Sequence, residues 1–227
     1  HIGGLPYFLK EADAPIYATK LTRGLVEVKL KDHRLMDGTQ LNTIRAREPF
    51  KVGPFTIEGF HVCHSIPDGI GVSIDTPEGM IVHSGDIKID NEPVDGQLTD
   101  MGRLAEFGDH GVLLLMSDST NSEHEGKTPS EGTIRGSFDQ VFSTATGRII
   151  VSTFASNISR IQMVIDAAAK HLRKVAVLGR SMVENVKMAQ ALGYLKVPEG
   201  VLVSLDELGS LPRNQMTIVC TGSQGEP

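Results

Sequence analysis

Two stretches of the sequence place nitrogen and oxygen donors where β-strands should end. Phe60-His61-Val62-Cys63-His64-Ser65-Ile66-Pro67-Asp68 closes an apolar run with histidines at i and i+3, and Ile81-Val82-His83-Ser84-Gly85-Asp86 closes another. A metal site needs fixed lone pairs converging from several strand tips, and imidazole and carboxylate are donors that Zn²⁺ accepts at about 2.0–2.2 Å. Gly85 lets the backbone turn so that Asp86 can point at a metal pair, and a carboxylate can bridge two cations where an imidazole cannot. A lone histidine at a strand end is more often capped or solvated than ligating, and His61, His83, His110, His124 and His171 are read that way. His64 and Asp86 stand apart because each has the other for company, together with the His1-Ile2-Gly3-Gly4 opening.

The second half offers anion-binding turns. A strand over Ile149 to Thr153 runs through Phe154-Ala155-Ser156-Asn157 into a helix, and Val175 to Leu178 runs through Gly179-Arg180-Ser181 into another. Helix N-termini present free N–H groups and partial positive charge, so either turn could receive a phosphate, with Arg160 or Arg180 as a bidentate partner. Simple N-capping by Ser156, Asn157 and Ser181 explains the same residues equally well, and Gly222-Ser223-Gln224-Gly225 carries the same ambiguity. No Gly-x-Gly-x-x-Gly accompanies Gly179, which argues against a dinucleotide, and no Gly-x-Ser-x-Gly elbow supports a serine hydrolase. Phe154 is assigned to the core.

Two kinds of scaffold must position these groups. Runs rich in Val, Ile, Phe and Tyr predict strands over Pro15–Thr19, Leu25–Leu30, Phe55–Cys63, Gly71–Thr76 and Met80–Ser84, with Thr76-Pro77-Glu78-Gly79 closing a hairpin. A helix is expected over Leu98–Phe107, and Gly111–Met116 reads as a strand buried on both faces. After Ser130 the period changes. Helices to about Thr144, over Asn157–Leu172, Met182–Leu192 and Leu205–Leu208 alternate with strands at Arg148–Thr153, Lys174–Leu178, near Val201 and at Gln215–Cys220. That alternation predicts βαβ units on a parallel sheet, with the change of architecture near residue 125.

The 227 residues are 40% hydrophobic and 22% charged, an ordinary globular composition that excludes a disordered tail, a collagen-like rod and a coiled coil. No apolar run approaches the roughly 20 residues of a membrane span. Cys63 and Cys220 give no disulfide framework, so a reducing, cytoplasmic setting is expected. Net charge is −6, but unevenly spread: residues 1–130 hold 12 Lys and Arg against 20 Asp and Glu, while residues 131–227 hold 10 against 8. The chain opens at His1 without Met and stops at Gly225-Glu226-Pro227, and is read as part of a longer protein.

At this point several blocks, in order, match one family. His1-Ile2-Gly3-Gly4-Leu5-Pro6-Tyr7 resembles the end of the metallo-β-lactamase His-x-His-x-Asp-His motif, Phe60–Asp68 its third metal motif and Ser84-Gly85-Asp86-Ile87-Lys88 its fourth. Ser117-Asp118-Ser119-Thr120-Asn121 resembles motif A of the β-CASP nucleases. Phe154–Ile158, Gly179–Val183 and Cys220–Pro227 are similar to the ribonuclease J family. The resemblance implies an α/β fold, a partial metallo-β-lactamase αββα sandwich over 1–125 followed by a partial β-CASP domain over 126–227 with a parallel sheet flanked by helices. It implies a dizinc ribonuclease acting 5′-to-3′ on single-stranded RNA, in some members also endonucleolytically, in rRNA maturation and mRNA decay, as a homo-oligomer. His1 and His64 would each bind one zinc, Asp86 would bridge both, and Asp118 would orient a ligand or the attacking water. Ser156, Asn157, Arg160, Arg180, Ser181 and Ser223 are the candidate RNA contacts; Ser159 stands where many members have His.

A zinc pair would lower the pKa of a shared water toward about 7, giving hydroxide for in-line attack on phosphorus. Because the family's remaining ligand motifs fall outside this sequence, the 227-residue chain alone is expected to be nearly inactive. Two rivals are another metallo-β-lactamase-fold hydrolase acting on a thioester or lactam, and a catalytically inactive RNA-binding or structural remnant.

Overall fold

The computed structural model describes residues 2–126 and 128–222. Helix α1 (Leu5–Glu11) leads into β1 (Ile16–Ala18), α2 (Lys20–Asp32) and β2 (Leu41–Thr43), and β1 pairs with β2 in parallel. Strands β3 (Phe50–Val52), β4 (Phe55–His61), β5 (Ile70–Thr76) and β6 (Gly79–His83) then run antiparallel. After α3 (Met101–His110), β7 (Val112–Met116) joins in parallel to β6, giving the order β3-β4-β5-β6-β7. Thr76 pairs with Gly79 across Pro77-Glu78, the hairpin that the turn composition predicts. Phe60, Val62 and Val82 bury one face of this sheet against Phe107 of α3.

Beyond residue 130 the helical period takes over. Helix α4 (Glu131–Thr144) precedes β8 (Ile149–Ser152), α5 (Ile158–Lys170), β9 (Lys174–Val177), α6 (Arg180–Ala191), α7 (Leu205–Gly209) and β10 (Met216–Cys220). Strand β10 lies between β8 and β9, parallel to both, so this is the expected parallel sheet flanked by helices. Ile158, Ile161, Ile165 and Ala168 of α5 are fully buried at i, i+3, i+7 and i+10, one helical stripe facing the sheet. Asn157 and Ser130 start their helices by accepting N–H groups of Arg160 and Gly132.

The structure corrects several expectations. Leu25–Leu30 is not a strand but the middle of α2. Val26-Glu27-Val28-Lys29-Leu30 alternates for only five residues, whereas the buried Leu21, Gly24 and Leu25 recur at i, i+3 and i+4, with Val26 and Leu30 burying a second side at i and i+4, and the helix packs toward α6. A Cβ at Gly24 would lie 2.6 Å from Met188 Sδ, so the glycine permits that close approach. Leu21 joins the same core as α5 and β10. The helix expected over Leu98–Phe107 starts later, because the Asp100 side chain caps it by accepting from the Arg103 amide. The strand near Val201 is a single bridge between Leu202 and Val175. Strand β7 forms, yet it is the sheet's edge and not doubly buried: Leu113, Leu114, Leu115 and Met116 are 65%, 48%, 62% and 47% exposed. Both cysteines are free thiols. Among the described residues no helix is long and apolar enough to cross a membrane.

Candidate active site

The site is made by three strand tips of the five-stranded sheet. Past β4 the chain is pinned by Val62 N–H to Gly69 O at 3.0 Å and by Cys63 N–H to Thr99 Oγ1 at 2.9 Å. The Lys88 amide donates to Cys63 O at 2.8 Å, which ties the segment carrying His64 to the one carrying Asp86. Past β6, Gly85 takes φ +64°, and a Cβ there would sit 2.9 Å from the Ile70 carbonyl oxygen, so only glycine makes this bend without strain. His64 Nε2 and Asp86 Oδ2 come to 4.0 Å of each other, both partly exposed.

That distance is too long for a hydrogen bond. It exceeds the roughly 3.4 Å edge of a tetrahedral site with bonds of about 2.0–2.2 Å, so the two side chains would have to close by about 0.6 Å to share a cation in that geometry. Among the described residues no third His, Cys, Asp or Glu completes a metal-holding group. His1, the other expected ligand, lies outside the described residues.

The third tip, beyond β7, brings Asp118 alongside. Its amide donates to Ser84 Oγ at 2.9 Å, its Oδ2 accepts from Ile87 N–H at 3.3 Å and its Oδ1 from Thr120 N–H at 2.8 Å. The Thr120 amide and hydroxyl, then the Ile87 amide and nearby His64, hold the Asp118 carboxyl below the usual carboxylate range against a smaller push from burial. Asp118 is thus a fixed acceptor beside the His64–Asp86 pair. Ser84, buried, and Thr120 are contributors that sequence reasoning missed. An Asp followed two residues later by Thr is the pattern of an Asx-turn, so Thr120 could have been found; nothing local points to Ser84.

The anion-binding candidates separate. Ser156, Arg180 and Ser181 share a cleft of about 660 Å³ with Phe154, Asn185 and the α2 residue Asp32. Arg180 is 75% exposed and donates to Asp32 and to Glu184, its Nε lying 3.4 Å from the latter. Gly179 at φ +99° precedes α6, whose first turn receives no side-chain cap, so its amides remain available. Asn157 and Arg160 are committed elsewhere: Asn157 caps α5, and Arg160 Nη2 donates to Glu131 Oε2 at 2.7 Å. Phe154 is 40% exposed at the cleft, not in the core. Ser223 lies outside the described residues.

Of the remaining histidines, His171 bonds Asp139 at 2.7 Å, His110 bonds the Glu106 carbonyl at 2.7 Å and His83 accepts from the Gly85 amide at 2.9 Å. These are structural roles.

Residues 146–227 match the family described as ribonuclease J, β-CASP domain. Over its whole length the chain is 46% identical to ribonuclease J of Helicobacter pylori J99, 48% to that of Thermus thermophilus and 39% to ribonuclease J2 of Bacillus subtilis 168, covering 33%, 41% and 41% of those proteins. It therefore spans about a third to two fifths of the curated relatives it matches. A crystal structure of a protein of unknown function from Enterococcus faecalis V583 shares the fold at TM-score 0.64 and 14% identity, over 92% of this chain and 53% of that one. Residues 146–227 are thus similar to the β-CASP domain of ribonuclease J, and the chain is similar to ribonuclease J proteins along its whole length.

Proposed function

We propose that the protein containing this chain is a ribonuclease of the ribonuclease J type, a hydrolase of RNA phosphodiester bonds. Residues 1–125 would form part of its metallo-β-lactamase domain and 126–227 part of its β-CASP domain. What carries the reading is the 4.0 Å approach of His64 and Asp86 beside a fixed Asp118, in a chain aligned along its full length with ribonuclease J.

The proposed cofactor is a pair of zinc ions held by His1, His64 and Asp86, with Asp86 shared. Bound divalent cations supply Lewis acidity toward the phosphate and a water of lowered pKa. The chain's own groups do the rest. Asp118, ionised at neutral pH, accepts a hydrogen bond from a ligand or the attacking water and so orients it. Arg180, Ser181 and Ser156 take backbone phosphates of single-stranded RNA, with α6 N–H groups as further donors, and Ser223, outside the described residues, is proposed for the same role. The proposed action is 5′-to-3′ exonucleolytic with an additional endonucleolytic mode, in rRNA maturation and mRNA decay, by a cytoplasmic homo-oligomer.

The test uses the full-length protein and a 5′-labelled RNA, with and without chelator. Asp86→Asn should lose zinc and cut cleavage by more than the roughly 10- to 100-fold that an outer hydrogen-bond partner costs. Chelator-indifferent cleavage, or a wild-type rate in Asp86→Asn, would overturn the proposal.

A further inference from the structure

A charge network joins the segment carrying Asp86 to the helices of the second sheet. Lys88, two residues past Asp86, donates to the Pro129 carbonyl at 2.7 Å, with Asp90 and Glu131 oxygens each 3.7 Å away. The Asp90 side chain is fully buried and accepts the amides of Glu92 at 3.0 Å and Glu131 at 2.9 Å, fastening the first turn of α4 to this segment. The same turn is held again by Ser130 Oγ donating to Glu92 O at 2.9 Å. A Cβ at Gly132 would lie 2.8 Å from that oxygen, so the contact has no slack.

Glu131 reaches in both directions. Its Oε1 faces Lys88, and its Oε2 accepts from Arg160 on α5 at 2.7 Å, with both Glu131 and Arg160 about three-quarters buried. Arg160 Nε is buried without a hydrogen-bond partner among the described residues, so the guanidinium has only this carboxylate to neutralise it there. Two cations and two anions balance. From His64 through the Cys63 carbonyl, the Lys88 amide, its ammonium and Glu131, an unbroken run of contacts ends at α5.

We propose that Glu131 is a positioning residue: it fixes the attitude of the His64–Asp86 site relative to the second sheet, so that an RNA lying across both is aligned for cleavage, and Arg160 serves Glu131 and not a phosphate. This rests on the ribonuclease reading above. Removing the carboxylate charge leaves Lys88 with Asp90 alone and Arg160 with no paired carboxylate among the described residues, so the contact that holds the segment to α5 is lost.

The test uses full-length, zinc-loaded protein with two substrates: a long single-stranded RNA, and bis(p-nitrophenyl) phosphate, a diester small enough to touch only the site. In Glu131→Gln, kcat on RNA should fall about 10- to 100-fold, as for a misplacement on the ångström scale, while turnover of the small diester stays within about twofold. Amide exchange over residues 86–94 and 128–134 should quicken about tenfold, with α6 unchanged. The double variant Lys88→Met/Glu131→Gln should be no worse than the poorer single one, because the two act through one contact. Glu131→Asp, shorter but charged, should show the same split more weakly and decides the matter should Glu131→Gln not fold. Unchanged RNA turnover, equal losses on both substrates, or unaltered exchange would overturn the proposal. Wild-type protein that fails to cleave RNA would instead sink the ribonuclease reading, leaving the exchange result to judge the network.

Discussion

Gly85 and Gly108 should respond to alanine with opposite signs. At Gly85 the backbone sits at φ +64°, where an L side chain costs about 1–2 kcal/mol. The added Cβ would also stand 2.9 Å from Ile70 O, a backbone atom of β5 paired to His61, which cannot swing aside as a side chain would. Such overpacking costs about 1–3 kcal/mol, so Gly85→Ala should destabilise by about 2–5 kcal/mol and lower Tm by roughly 5–15 °C. Gly108 lies inside α3 with no atom within 4 Å of an added methyl and no positive φ, so Gly108→Ala should stabilise by about 0.5–1 kcal/mol. Urea unfolding followed by circular dichroism, with Tm from calorimetry, reads both. Asp86 follows Gly85 directly, so under the zinc site proposed above metal affinity in the full-length protein should fall in the first variant and hold in the second. A Gly85→Ala stability within about 0.5 kcal/mol of wild type, or a common sign for the two, would refute the argument from backbone geometry.

Two further outcomes follow from the same structure. Leu113 and Leu115 share one face of the β7 edge and are 65% and 62% exposed, so Leu113→Lys/Leu115→Lys should change the stability of the 227-residue chain by no more than about 1 kcal/mol in urea unfolding; a loss above about 2 kcal/mol would show that these side chains are buried in the folded chain. Arg47 hydrogen-bonds Asp100 at 2.7 and 2.8 Å and so holds its carboxyl below the usual range. A carboxyl lowered by folding adds stability above its unfolded pKa and loses it as the pH falls through the folded one, here below about pH 4. Asp100→Asn keeps the α3 cap but not the charge, so its urea midpoint should change less between pH 7 and pH 3 than that of wild type; equal pH dependence would remove Asp100 from the acid response.

Much of the fold was legible because its causes are local. Pro77 and Gly79 set a turn whatever surrounds them, Asn157 and Ser130 cap their helices with their own side chains, and the α5 stripe repeats over about three turns. The misreading of α2 has the same origin in reverse: five alternating residues carry too short a period to choose between strand and helix, and Met188 and Leu192, more than 160 residues away, made the choice. Exposure of β7 was equally hidden, since an apolar run reports what a strand could bury and not what lies against it.

For the site, the sequence by itself determined the donors: imidazole at His64, carboxylates at Asp86 and Asp118, and a glycine that alone permits the bend between β6 and Asp86. Only the tertiary structure decided how they meet: the 4.0 Å approach, the Ile87 amide on Asp118, and the use of Arg160 on Glu131. The reason is physical. Residue type and neighbouring sterics are written in consecutive positions, whereas partner choice across 30 or so residues depends on packing and charge balance, which no local period encodes.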